Sequence, residues 1–118
     1  MSEAITIARP YAQAAFEEAQ KKSDLKGWSE MLLSLAEAVC HPEIRAVVTS
    51  PRVAKQQLEN LMDGLLGGQA NAHQRNLVRV LVENQRLLVL PEIAAIFETL
   101  RAEAEKTVNV VVDSAFEL

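Results

Sequence analysis

The chain has 118 residues, a formal net charge of −4, 49% apolar residues, 4% aromatics and a single cysteine, Cys40. That length suits one domain with a real core, one thiol excludes an internal cystine framework, and the acidic balance argues against binding nucleic-acid phosphates as the main task. No apolar run approaches the ~20 residues that span a bilayer, and Met1-Ser2-Glu3-Ala4 lacks the basic and apolar regions of a signal peptide, so a soluble, intracellular, Ala/Leu/Val-rich helical bundle is expected.

The first helix is expected to open at Ser2 or Glu3 and to run to residue 22, with Pro10 marking a late start or a mild kink. Ser23-Asp24 supplies the next N-cap, and the second helix covers residues 24–40 before His41-Pro42 stops it. Gly27 costs that helix ~1 kcal/mol relative to Ala and suggests a frayed first turn. Pro42 opens a short third helix over residues 43–49, at the position where proline's missing N–H costs nothing. Ser50-Pro51 repeats that signature and predicts a fourth helix through residue 66, ended by Gly67-Gly68. A fifth is expected over residues 70–85, and a sixth begins around Pro91 and reaches residue 105.

The tail differs. Thr107-Val108-Asn109-Val110-Val111-Val112 is β-branched and predicts one strand. A lone strand is unstable, so it either docks on the bundle or begins a second domain that this chain lacks, and the second reading is favoured. The fold class expected is therefore all-α: a six-helix bundle over residues 1–105, then a short C-terminal β-strand within a linker and truncated domain over 106–118.

Gly64, Gly67 and Gly68 sit at a helix end with no following Lys-Ser/Thr, so no phosphate loop is expected. His41 and His73 have no ligand partner at helical metal spacing, and the side chains of Cys40 and His41 point in different directions. Cys40 reads as a small apolar residue at a helix end. Glu17-Glu18 and Glu103-Ala104-Glu105 read as solvated helix faces. No catalytic residue, metal or cofactor is expected.

Two helices carry more apolar surface than a one-sided core contact needs. At 100° per residue, Ile5, Ala8, Ala12, Ala15, Phe16 and Ala19 form one arc of the first helix, and Ala4, Ile7, Tyr11 and Ala14 the next. Together they cover roughly 200°, against the ~100° stripe of an ordinary surface helix. On the fifth helix Leu77, Val78, Val80, Leu81 and Val82 spread as widely, opposite Arg75, Asn76, Arg79 and Glu83. Either both helices are central and buried on two sides, or they stand side by side and leave an apolar groove for a partner helix.

Two segments carry a family resemblance. Arg9-Pro10-Tyr11-Ala12-x-Ala14-x-Phe16, within the opening sixteen residues, resembles the start of the delta-subunit family of bacterial F-type ATP synthases (the oligomycin-sensitivity-conferring protein family). Asn76 to Leu87, followed by Leu90-Pro91, is similar to that family's Asn-x-Arg-Leu segment before the sixth helix, and Trp28 falls where similar bacterial members often carry tryptophan. The resemblance implies an N-terminal six-helix bundle whose first and fifth helices form a groove for the N-terminal helix of an alpha subunit, with the b subunits of the stalk met through a C-terminal portion. It implies a non-catalytic stator subunit, peripheral to the cytoplasmic face of the bacterial plasma membrane through the complex alone. The groove lining implied on these residues is Ala4, Ile7, Ala8, Tyr11, Ala14 and Ala15 from the first helix, with Asn76, Leu77, Val80, Glu83 and Asn84 from the fifth. An unrelated helical adaptor that uses the same groove for another amphipathic helix is the competing reading.

Overall fold

The computed structural model describes the backbone of residues 3–68 and 70–117, and the side chains of residues 3–68 and 70–106. Its elements are α1 (Glu3–Lys21), α2 (Leu25–Cys40), α3 (Pro42–Thr49), α4 (Lys55–Leu66), α5 (Ala72–Glu83), a 3₁₀ turn at Leu87–Val89, and α6 (Leu90–Glu117). The expectation that Ser2 opens the first helix lies outside the described residues.

Alanine recurs in α1 at 8, 12, 15 and 19, spacings of four, three and four that make one stripe. All four are buried, and α1 packs mainly on α6, which the small side chains allow it to approach closely. Phe16 adds the large contact, meeting Phe97 edge-on with ring centroids 5.8 Å apart. Pro10 lies inside α1 without breaking it, and the helix is continuous from Glu3.

From the other side α2 packs against α6 and contributes Trp28, Leu32, Leu35 and Val39 to the core. α6 supplies Leu90, Ile93, Ala94 and Phe97 and is the central element. A polar network also ties α2 to α6: the buried Ser29 hydroxyl donates to Glu98 and accepts from Arg101 Nη1 at 3.2 Å, while Arg101 Nε reaches Glu105 at 3.0 Å.

The helix ends explain much of the punctuation. α1 closes with Ser23 at φ 53°, where the Asp24 N–H donates back to the Ala19 carbonyl at 2.9 Å. α5 closes the same way, with Gln85 at φ 58° and the Arg86 N–H on the Leu81 carbonyl at 2.8 Å. Gly27 does not fray α2. Its N–H is capped by Asp24 Oδ1 at 3.2 Å, and a Cβ at that position would sit 2.4 Å from the same oxygen.

Two further expectations are corrected. Ser50-Pro51 does not start α4, which begins at Lys55. Ser50 instead caps the end of α3, and its Oγ accepts from the Arg52 N–H at 3.3 Å. That local turn competes with the helix and carries Val53 onto the core. Helix α4 starts where the Gln57 side chain can accept from the Ala54 N–H, at 2.9 Å. The strand expected over 107–112 is likewise absent: the α6 backbone continues through it to Glu117. An unpaired strand leaves its N–H and C=O groups without ladder partners, whereas extending an existing helix satisfies them within the chain, at a propensity cost of only tenths of a kcal/mol per β-branched residue.

Candidate functional site: the groove between α1 and α5

Helix α5 is amphipathic in three sectors. Gln74, Val78, Leu81 and Val82 face the core. Arg75 and Arg79 turn toward α4: Arg75 Nη1 meets Asp63 Oδ1 at 3.3 Å and its Nη2 donates to the Gly67 carbonyl at 2.5 Å, and Arg79 Nε lies 3.7 Å from Glu59. The third sector holds His73, Leu77, Val80 and Asn84 and lies beside α1. An Asn71–Gln74 capping box starts the helix: Gln74 N–H donates to Asn71 Oδ1 at 2.8 Å, and Asn71 N–H to Gln74 Oε1 at 2.9 Å.

The two helices run antiparallel and touch through polar side chains at two points. Asn84 Nδ2 donates to the Tyr11 hydroxyl at 3.1 Å. His73 Nε2 lies 3.3 Å from Glu18 Oε1. Tyr11 and Glu18 are seven residues apart and so share a face of α1, and His73 and Asn84, eleven apart, share one of α5. On the surface between these contacts stand Ala14 of α1, exposed, and Leu77 and Val80 of α5. Leu77 is partly buried, whereas Val80 is 42% exposed, one of the few large apolar side chains left in water.

The expected lining therefore divides. Tyr11, Ala14, Leu77, Val80 and Asn84 come together as one surface, with Asn76 and Glu83 exposed on its α5 flank. Ala4 and Ile7 lie further toward the start of α1, partly buried against the core. Ala8 and Ala15 require correction: at 0% and 2% exposure they belong to the sealed alanine stripe and cannot line a groove. A one-residue step on a helix is a 100° turn, so Ala14 and Ala15 face different surroundings although both are alanine. The Glu18–His73 contact had no sequence signal, because Glu18 read as part of a solvated acidic pair and His73 as a solitary imidazole.

Among the described residues no three His, Cys, Asp or Glu side chains gather as a metal site, and no helix is long and apolar enough to cross a membrane. The remaining histidine, His41, caps α3, its Nδ1 accepting from the Glu43 N–H at 3.3 Å.

Comparison with known proteins places these features in a family. The family model described as ATP synthase delta (OSCP) subunit matches residues 7–118. The ATP synthase subunit delta of Chromobacterium violaceum is 44% identical over 118 residues, which is 100% of this chain and 66% of that protein. The Thioalkalivibrio sulfidiphilus subunit is 45% identical over 115 residues, 98% of this chain and 65% of that protein, and the Nitrosomonas europaea subunit 40% over 118 residues, 100% of this chain and 66% of that protein. The chain thus spans a little under two thirds of the length of these curated relatives. With a family model matched over residues 7–118 and relatives at 40–45% identity on a helical bundle, the chain belongs to the ATP synthase delta (OSCP) subunit family.

Proposed function

We propose that the chain is the helical, head-facing portion of a peripheral-stalk subunit of an F-type ATP synthase. It holds the N-terminal helix of an alpha subunit between α1 and α5 and does no chemistry itself. The b subunits of the stalk engage the part of the subunit represented by the relatives' additional length, on the cytoplasmic face of the bacterial plasma membrane. Tethering the catalytic head to a static stalk keeps the head from turning with the rotor, so that proton-driven rotation yields ATP.

The observation that carries this reading is the apolar strip of exposed Ala14 and Val80 with partly buried Leu77, between two polar contacts that join α1 to α5. An amphipathic helix laid on it exchanges water for apolar contact. A few hundred Å² buried at ~25 cal/mol per Å² contributes several kcal/mol before the entropy of association is subtracted. Tyr11 fits a groove wall, with its ring against the bundle and its hydroxyl on Asn84.

Calorimetric titration with a synthetic peptide copied from the alpha-subunit N-terminus tests the assignment. Binding at micromolar peptide, weakened by Tyr11→Ala, supports it. No heat with that peptide, or equal binding of an unrelated amphipathic helix, supports instead a general helical adaptor.

A further inference from the structure

We infer that Glu18 and His73 form a brace that sets the width of the α1–α5 groove at one end, and that the pair acts as a unit in positioning the docked helix. This rests on the docking reading above and adds to it a pair of positioning residues outside the lining.

The inference follows from what else holds the two helices apart. At the level of Glu18, α1 presents Ala15 and Ala19 to the core, and both are sealed. Phe16, the large side chain nearby, engages Phe97 of α6. On its far flank α5 is fixed to α4 through Arg75 and Arg79. At that end the 3.3 Å contact between His73 Nε2 and Glu18 Oε1 is a polar link from α1 to α5. At the other end Asn84 and Tyr11 play the equivalent part. The two links lie two turns apart along α1, a rise of about 10 Å, which matches a partner helix presenting anchors at i, i+3 or i+4, and i+7. Glu18 is 23% exposed and His73 52%, so the pair contributes little to folding and its effect is read in docking.

A double-mutant cycle on peptide affinity tests the brace, using the 118-residue chain, the alpha-subunit N-terminal peptide and thermal unfolding in parallel. Glu18→Ala and His73→Ala are each expected to weaken binding about two- to five-fold, the range of an exposed pair. The double variant is expected to be no weaker than either single one, because the first substitution already removes the link. His73→Gln, whose amide can still donate to Glu18, is expected to keep the original affinity. Unfolding midpoints should not separate the five proteins. Effects that multiply in the double variant, or single variants that bind like the parent, overturn the brace while docking stands. Failure of the unsubstituted chain to bind the peptide overturns the docking reading and the brace with it.

Discussion

Helix α1 shows two faces made of similar residues under opposite constraints. Toward α6 its alanines at 8, 12, 15 and 19 are sealed, and closeness of approach is what they provide. Toward α5 it presents Tyr11, Ala14 and Glu18, in contact with its neighbour through a hydroxyl and a carboxylate. The first face resembles a protein interior and tolerates little added volume; the second is a partly exposed surface. Small residues thus mean tight packing on one side and an open strip on the other, and only the neighbouring helices decide which.

The same substitution placed two residues apart breaks the comparison most sharply. Ala12→Leu forces three heavy atoms into a site with 0% exposure and is expected to cost about 1–3 kcal/mol, measured by urea denaturation. Ala14→Leu, on the exposed face, is expected to stay within about 0.5 kcal/mol of the parent. Val80→Asp probes the open face from α5. Stability should change by no more than about 0.5 kcal/mol, while peptide affinity in calorimetry falls at least about tenfold, because docking would desolvate the new carboxylate. A gain in stability is expected at the end of α5. Gln85 holds a left-handed conformation at φ 58°, and Gln85→Gly is expected to raise stability by up to about 1 kcal/mol in thermal unfolding, with docking unaffected.

Much of the fold was readable because its signals are local. Asp24 caps α2, Pro42 opens α3, and the broad apolar arcs of α1 and α5 mark the helices that stand together. The failures are equally physical. Ser50-Pro51 carries a sound helix-start signature, but Ser50 satisfies the backbone of a turn instead, and no local pattern says which option wins. The β-branched run over 107–112 has strand propensity without a partner strand, and the backbone there remains helical. The sequence reading offered Tyr11, Leu77, Val80 and Asn84 as lining, and these lie at or between the two polar contacts of α1 with α5. It misassigned Ala8 and Ala15, since alanine is equally at home in a sealed stripe and on a groove wall. Glu18 with His73 was out of reach, because a contact across 55 positions leaves no trace in either residue's neighbourhood.

Mapping the bound peptide by amide chemical-shift changes on the isotope-labelled chain tests the central claim most directly. The account predicts the largest shifts at Tyr11, Ala14, Leu77, Val80 and Asn84. A pocket lies between α2 and α6, lined by Leu33, Ala36, Pro91, Ala94 and Ala95 with Glu37 and His41 at its edge. Shifts concentrated there, with α1 and α5 unmoved, would contradict the account.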